Sequence, residues 1–267
     1  RTLLAGLRWR PRACVAFASF AKGSCNKSYV QELARRLPSD CLVTVAVGSG
    51  VIGTLDGENA EVEKRRAASV VLSRRSWSFV AKTKAKRLFA ANGTPASVQA
   101  WLASFLEAGF RRFNLVLTTE RFQPVPALCE SVGVGGVAKK LFAGTASSFR
   151  ECSLVVLTTA LHGEARALVC RHDYAGNLRS FLRTTSAQSF DLVFAVTCVL
   201  RGERFHGQPG FEASVHADLF PGVPVVGFFA DGELALMDRD GYSQVPGHPC
   251  TYEGTTVLGL LSPPECE

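Results

Sequence analysis

The chain has 267 residues, of which 47% are apolar and 20% are charged, and its net charge is +7. This balance excludes a disordered tail, a collagen and a coiled coil. No apolar run approaches the ~20 residues that a membrane-spanning helix needs. We therefore expect a globular protein without membrane contact, built around one large core or two smaller ones.

Nine cysteines are scattered along the chain without any Cys-x-x-Cys pair. This spacing argues against a zinc ribbon or a thioredoxin-type site, and His248 with Cys250 would supply only two metal ligands. We therefore predict no metal and no cofactor. An odd number of cysteines, several of them inside apolar runs, is typical of a reducing compartment, so we expect an intracellular protein of the cytoplasm or nucleus.

The chain begins at Arg1 and contains a single methionine, Met237. Its basic opening segment has an apolar stretch that is too short for a secretory signal. We expect either a processed product or a fragment of a longer gene product.

The positive charge is concentrated in the segment Glu61–Arg87, which holds nine basic and two acidic residues. One interpretation is an electrostatic patch for phosphate or an acidic partner. The interleaved apolar residues, such as Trp77 and Phe79, favour the other interpretation, a pair of strands with solvated basic faces. We therefore expect weak, salt-sensitive binding of polyanions and no specific nucleic-acid partner.

The first third of the chain reads as a strand, a helix and a strand. Ala13–Phe20 and Cys41–Val47 are apolar runs typical of buried strands, and the second runs into the Gly48–Gly50 turn. Between them, Ser28 and Gln31 form a capping box that predicts the start of a helix, and Pro38 ends it.

The middle of the chain contains one well-marked helix, Pro95–Ala108, whose apolar stripe predicts that Trp101 and Phe105 are buried. A strand is expected at Phe113–Thr119. The glycines of Val132–Ala138 predict a turn. The last two elements of this part, Ser153–Thr159 and Ala165–Cys170, are expected to form a hairpin around His162-Gly163.

The last third repeats the order of the opening third. Asp191–Leu200 predicts a strand, Phe211, Val215 and Leu219 lie on one stripe of a helix, and Val223–Phe229 predicts a second strand. Two strand–helix–strand units in one chain suggest a duplication with pseudo-twofold symmetry.

Two segments of the last third resemble the C-terminal domain of the FIST family. The first is Ala195–Gly202 (AVTCVLRG), an apolar strand that ends in Cys-x-x-Arg-Gly, and the second is Leu219–Leu234 (LFPGVPVVGFFADGEL), with Phe-Pro and Gly-Glu. The earlier Val47–Gly53 (VGSGVIG) is similar to a glycine turn of the N-terminal FIST domain, and Gly135-Gly136 to the place where that domain closes. The resemblance covers nearly the whole chain.

The resemblance agrees with an α/β fold of mixed α+β type, in which two related units form mixed sheets that pack together with helices outside. It divides the chain into an N-terminal domain, 13–170, and a C-terminal domain, 171–267. It also implies a cleft lined by glycine turns and a few reactive side chains. The candidate residues for binding a ligand or partner are Gly48, Ser49, Gly50, Gly135, Gly136, Cys198, Arg201, Gly202, Gly227, Gly232 and Glu233.

Cys198, Arg201 and Glu233 are expected to converge near the Gly48–Gly50 turn, because all of them lie at strand ends. Arg201 would pair with Glu233, and its charge would lower the pKa of the Cys198 thiol. The alternative is a packed core cysteine beside structural turns, and Asp231-Gly232 is by itself a strong hairpin signal.

Three functions remain open. The resemblance implies a ligand-sensing or protein-recognition module of intracellular signalling, which binds a small-molecule ligand or a protein substrate. A second possibility is the substrate-recruiting part of an F-box (SCF) ubiquitin ligase, with SCF components as partners, but no F-box pattern precedes Ala13. The third is an enzyme that uses Cys198, although the chain has no Gly-x-Ser-x-Gly, Walker A or zincin motif and no complete catalytic set.

Overall fold

The computed structural model describes residues 7–20, 27–63, 65–74, 77–83, 87–90, 112–120, 132–160, 165–186, 190–236, 250–252 and 254–262. The expected helix Pro95–Ala108, with Trp101 and Phe105, lies outside these residues, and so does the His162-Gly163 loop. Among the helices of the described ranges, none is long and apolar enough to cross a membrane.

The described residues form four helices, a short 3-10 turn and seventeen strands. The helices are α1 (Lys27–Arg35), α2 (Tyr174–Leu182), α3 (Glu203–His206) and α4 (Phe211–Leu219), and the 3-10 turn is Val199–Arg201. The strands are β1 (Ala13–Ser19), β2 (Leu42–Gly48), β3 (Gly50–Leu55), β4 (Glu58–Glu63), β5 (Ala67–Ser73), β6 (Trp77–Thr83), β7 (Leu88–Ala90), β8 (Arg112–Thr118), β9 (Val132–Val137), β10 (Lys140–Thr145), β11 (Ser148–Ala160), β12 (Ala165–Cys170), β13 (Leu192–Cys198), β14 (Val225–Ala230), β15 (Glu233–Leu236), β16 (Cys250–Tyr252) and β17 (Thr256–Leu261).

These strands form two mixed sheets, which confirms the expected α+β class. The first sheet has eleven strands, nine of them in the order β16-β15-β9-β8-β11-β10-β2-β1-β5, with β6 on β11 and β7 on β6. The second has six strands in the order β12-β17-β13-β14-β3-β4. Parallel pairs occur in both sheets, β1 with β2 and β8 with β9 in the first, and β13 with β14 in the second.

The two sheets pack face to face, and the helices cover their outer faces. Side chains alternate along each strand, so Phe17 of β1 and Phe194 of β13 point into the layer between the sheets. The intervening Ala16 packs toward α1, while Ala195 packs toward α2 and α4. The result is a four-layer arrangement of helix, sheet, sheet and helix, which explains why these strands are apolar on both faces.

Each strand–helix–strand unit sends its next strand into the sheet of the other unit. The chain leaves β2 in the first sheet and enters β3 in the second, and it leaves β14 in the second sheet and enters β15 in the first. Both sheets therefore contain strands from both expected domains, 13–170 and 171–267. The duplication itself stays a prediction.

The expected glycine turn at Val132–Ala138 is wrong, because these residues form β9. This strand runs parallel to β8, with Gly135 opposite Val116. A Cβ at Gly135 would overlap the carbonyl oxygen of Val116. The glycine is therefore needed for close approach between strands and not for a turn.

The expected hairpin of Ser153–Thr159 with Ala165–Cys170 is also wrong. The first segment lies in β11, between β8 and β6 of the first sheet. The second is β12, which pairs with β17 of the second sheet. The sequence of two successive strands with a turn signal between them is the same kind of pattern in both cases, when the strands pair with each other and when they belong to different sheets.

Within its described residues, the basic segment Glu61–Arg87 does not form one continuous patch. Its middle is β5, which pairs along its length with β1, so Arg66 and Arg74 lie beyond opposite ends of this strand, about 26 Å apart at ~3.3 Å per residue. Arg66 lies over the ring of Tyr29, and Arg74 lies over the ring of Trp9. The segment thus contains the expected strands, β5 and β6, but its described arginines, Arg65, Arg66, Arg74 and Arg87, lie outside these strands and not on their faces.

We predict that Phe194→Ala destabilises the protein by about 3–5 kcal/mol, because it leaves a cavity between the sheets. The Phe194 ring stacks on Phe113 with 5.5 Å between centroids and meets Phe17 and Trp77 edge-on. Urea unfolding followed by circular dichroism measures the loss. In the control, Leu55→Ala, the side chain is 64% exposed, and the change should stay within about 0.5 kcal/mol. Similar values for the two variants would contradict this packing.

Candidate functional site

The carboxyl ends of β2, β13 and β14 meet at one edge of the molecule, which we call the upper rim. β13 and β14 run parallel and end together, with Cys198 beside Ala230. The backbone N–H of Ser49, just after β2, donates to the carbonyl of Phe229 at 3.0 Å. Most of the sequence-predicted residues come together here.

Arg201 is the most constrained side chain of this rim. It ends the 3-10 turn that follows β13 and is fully buried. Its Nε donates to Glu212 Oε1 at 2.7 Å, and its Nη1 donates to the carbonyl oxygens of Arg171 at 2.9 Å and Gly254 at 3.2 Å. The guanidinium therefore connects β13 with α4, with the end of β12 and with the loop before β17.

Two aromatic rings enclose the same guanidinium. Its carbon lies 5.7 Å from the centroid of Tyr174 in α2 and 5.0 Å from that of Phe205 in α3. Cation–π contacts of this kind are stronger when the cation is desolvated. Arg201 is thus held by charge, by hydrogen bonds and by rings from five separate parts of the chain.

Glu212, in the first turn of α4, is the carboxylate that compensates this buried charge. Besides Arg201, it accepts hydrogen bonds from the hydroxyls of Thr197 at 3.1 Å and Thr256 at 2.7 Å, and it lies 3.2 Å from His206 Nε2. Burial acts to raise the pKa of Glu212, but the bond to His206 and the charge of Arg201 outweigh it and leave the pKa below its ordinary value.

The expected ion pair of Arg201 with Glu233 is wrong, since the partner of Arg201 is Glu212. Glu233 is also buried, and its Oε2 accepts a hydrogen bond from the Thr255 hydroxyl at 2.9 Å. Burial raises the pKa of Glu233 to about 7, and the charge of Arg201 acts in the opposite direction. The charge of Arg201 therefore influences the pKa of Glu233, although Glu233 is not the counter-ion of Arg201.

The expected activation of Cys198 is wrong in direction. Burial raises the pKa of its thiol above the ordinary value, and the negative charge of Glu233 raises it further. Only 4% of the cysteine is exposed. The structure thus places Cys198, Arg201 and Glu233 together, as expected, but in the interior behind the rim and not on the wall of an open cleft.

Two polar atoms of this cluster are buried without a hydrogen-bond partner in the described part of the chain. They are Nη2 of Arg201 and Oε1 of Glu233. One is a donor and the other an acceptor, and unmet groups of this kind are costly in an interior.

Most of the predicted glycines serve close packing at the rim. A Cβ at Gly48 would reach the carbonyl of Phe229, and a Cβ at Gly136 would crowd Ala230 and the carbonyl of Gly232. Gly50 pairs with Glu63 of β4. Gly227 differs because, like Gly135 of β9, it lies inside a strand, where a Cβ would overlap a carbonyl of the neighbouring strand, that of Ala195.

A shallow cavity of about 330 Å³ opens on the rim, and we call it the rim pocket. Its lining consists of Glu63, Val199, Leu200, Gly202, Arg204 and Phe205. Among the predicted residues only Gly202 lines it. A side chain at this position would overlap the Glu63 carboxylate, so the glycine lets β4 approach the chain that follows β13.

Two glutamates of β4 hold the helices beside the pocket, and sequence reasoning missed both. Glu63 accepts the backbone N–H of Glu203 at the start of α3, at 2.7 Å, and Glu61 accepts that of Ala213 in the first turn of α4, at 2.8 Å. Carboxylates at helix N-termini are stabilising. Burial nevertheless raises the pKa of Glu61 to about 7. Glu61 and Glu63 stand two positions apart on β4, so they share one face of the strand, and this spacing was the sequence signal that could have identified them.

Sequence reasoning also missed Glu212, Tyr174 and Phe205. Glu212 neighbours the predicted helix stripe of Phe211 and Val215, but nothing in that pattern distinguishes a buried glutamate from a solvated one. No three His, Cys, Asp or Glu side chains gather at a possible metal site within the described ranges.

We predict that Glu212→Gln destabilises the protein by about 3–5 kcal/mol, because it leaves the Arg201 charge buried without its counter-ion. Both side chains are at most 1% exposed. Glu32→Gln is the matched control, since it removes the same charge from exposed pairs with Arg35 and Arg36, and it should cost less than about 1 kcal/mol. Urea unfolding at pH 7.5 compares them. Equal losses of unfolding free energy in the two variants would show that the buried ion pair contributes no more to stability than the exposed pairs.

We predict that Glu233→Gln becomes more stabilising as the pH rises. The pKa of Glu233 is about 7 in the folded protein against an ordinary value of 4.5. The folded state therefore holds a proton that the unfolded chain loses, and the resulting stability is complete below pH 4.5 and is lost as the pH rises to 7. Glutamine imitates the neutral carboxyl and escapes this loss.

Unfolding free energies at pH 5 and pH 7.5 provide the measurement for Glu233→Gln. The difference between variant and wild type should shift by about 1–3 kcal/mol in favour of glutamine over this range. Glu203→Gln, on the exposed face of α3, is the control for the loss of an exposed carboxylate. A difference for Glu233→Gln that does not change between the two pH values would rule out a raised pKa.

Comparison with known proteins gives no assignment for this chain. It matches no protein-family model and no curated protein sequence. The rim pocket lies in front of a buried cluster that consists of Cys198, Arg201, Glu212 and Glu233.

Proposed function

We propose that the protein is a FIST-type recognition module that binds a short protein segment in the rim pocket. The observation that carries this proposal is the pair of apolar side chains at the pocket, Leu200 and Phe205, which are 68% and 44% exposed. Exposed apolar groups bordered by charged residues are typical of interaction sites. Here the bordering charges are Glu63 and Arg204.

The residues behind the rim pocket hold its lining in one arrangement, and this supports a role in recognition. Leu200 belongs to the 3-10 turn that Arg201 fixes from inside, and Phe205 lies over the Arg201 guanidinium. Glu63 holds the start of α3, which carries Phe205. A binding surface that is already ordered loses little conformational entropy when a partner docks.

The resemblance to FIST domains supports the same proposal through the residues that carry it. The Cys-x-x-Arg-Gly motif supplies the buried Arg201 and the pocket residue Gly202. The Gly-Glu motif supplies Gly232 and the buried Glu233. In this proposal the motif residues support the pocket from behind, and the two residues between Cys198 and Arg201, Val199 and Leu200, contact the partner.

A binding role is proposed in preference to catalysis by Cys198. Its thiol is buried and its pKa is raised, so the thiolate that a nucleophilic cysteine needs is disfavoured. The cysteines Cys14, Cys41, Cys152, Cys170 and Cys198 are all buried and free. Free thiols in this number support the proposal of a partner within a reducing compartment.

We predict that Leu200→Asp weakens binding of partner peptides at least about tenfold. A random peptide library is selected against the protein, and the dissociation constants of enriched peptides are measured by fluorescence anisotropy. The new carboxylate would place a charge against the apolar anchor of the peptide.

Leu55→Asp is the matched control, because Leu55 is equally exposed but lies at the other end of β3. It should leave peptide affinity within about twofold of wild type, and both variants should keep the wild-type melting temperature. Enrichment of no peptide, or peptides that bind Leu200→Asp as tightly as wild type, would overturn the proposed function.

A further inference from the structure

A second and larger cavity, of about 740 Å³, opens at the edge opposite the rim, where β1 and β2 begin. We call it the basic pocket. Its lining consists of Arg8, Trp9, Arg10, Arg12, Asp40, Leu42, Arg74 and Trp77. These residues come from three places in the sequence, just before β1, around the start of β2 and between β5 and β6.

The charge of this lining is strongly unbalanced. Among the described residues of its lining, four arginines stand against a single carboxylate, Asp40, which gives these residues a net charge of +3. Arg10 donates to Asp40 Oδ1 at 2.6 Å, and the side chains of this pair are 68% and 71% exposed. Guanidinium groups crowded into one cavity repel one another, so an anion placed among them is attracted.

The walls of the basic pocket are fixed to the sheet. The backbone N–H of Arg12 donates to Ser73 at 2.8 Å, and its carbonyl accepts from Leu42 at 2.9 Å, so this segment is tied to β5 and β2 at once. Trp77 is buried, with its ring 6.3 Å from that of Phe194 in the layer between the sheets. The backbone position of Arg12 is therefore set before any ligand arrives, and Arg74 directly follows the strand residue Ser73.

An aromatic ring completes the site. The guanidinium of Arg74 lies over the indole of Trp9, with its carbon 5.0 Å from the ring centroid. Trp9 is only half-buried. Stacking on an indole orients the planar guanidinium, which leaves its N–H groups in one plane for bidentate contact with an anion.

We propose that the basic pocket binds a small molecule that carries a chain of phosphate groups. The arginine fork matches phosphate oxygens in pairs, and several guanidinium groups in one cavity suit several linked phosphates. The volume lies within the range of small-ligand sites. A cavity with this lining suits a compact anion better than the long groove that tracks a nucleic-acid backbone. The inference is independent of the proposed function, which concerns the opposite edge.

Isothermal titration calorimetry in 150 mM NaCl, at pH 7.5, tests the proposal with three probes. Tripolyphosphate carries the phosphate chain alone, ATP carries the chain and a base, and adenosine carries no phosphate. We expect saturable binding of tripolyphosphate and ATP with one site per chain, and no binding of adenosine. Tighter binding of ATP than of tripolyphosphate would identify a nucleotide as the source of the phosphates. Equal binding of the two probes would identify an inorganic polyphosphate as the source.

The deciding variant is Arg8→Gln combined with Arg74→Gln. Both side chains are exposed, so the fold should be retained, which the melting temperature verifies. The dissociation constants of tripolyphosphate and ATP should rise at least about tenfold, as expected when two charged hydrogen-bonding groups are lost. The matched control, Arg35→Gln with Arg36→Gln at the C-terminal end of α1, removes the same charge from another exposed surface and should change the constants less than about twofold.

Two results would overturn the proposal. One is an equal loss of affinity in both double variants, which would show that only the net charge of the protein matters. The other is tighter binding of a twenty-residue oligothymidylate than of ATP, unaffected by Arg8→Gln with Arg74→Gln, which would identify a nucleic-acid surface elsewhere.

Discussion

The buried ion pair of Arg201 and Glu212 is the constraint on which the upper rim depends. A guanidinium without solvent must find acceptors and a counter-charge within the fold, and these come from α4, from the end of β12 and from the loop before β17. Any shift of one of these elements would leave a charge unpaired. The rim is therefore held in one arrangement, and α3 and the pocket are built upon it.

The same constraint explains why the reactive-looking residues of the motif are not at the surface. An arginine that must be enclosed brings its neighbours inside with it, so Cys198 and Glu233 are buried as well. Within Ala195–Gly202, the residue that is exposed to solvent is Leu200, in the 3-10 turn. The buried structural residues Cys198 and Arg201 and the exposed contact residue Leu200 thus lie within four positions of the chain.

The buried strands were predictable from sequence because their apolar runs have no polar face. The runs around Phe17 and Phe194 are buried on both sides, and their lengths agree with β1 and β13. Arg201 and Glu233 were also placed together correctly. Their proximity follows from adjacent strand ends, which a strand–helix–strand pattern determines.

The partner of Arg201 was not predictable in the same way. Glu212 and Glu233 are both a short distance along the chain, and only the orientation of the first turn of α4 decides between them. The glycines of β9 misled for a related reason, since glycine permits both a turn and the close approach of Gly135 to Val116. Crossings between sheets, such as β11 to β12, depend on contacts far apart in sequence.

The exchange of strands between the two sheets has a consequence for synthesis of the protein on the ribosome. The hairpin β3–β4 has its neighbour only when β14 has emerged, and β9 has its second neighbour only when β15 has emerged. Until then the nascent chain presents unpaired strand edges, which are sites of misassociation. We infer that the first half of the chain stays incomplete until residues 225–236 have emerged from the ribosome.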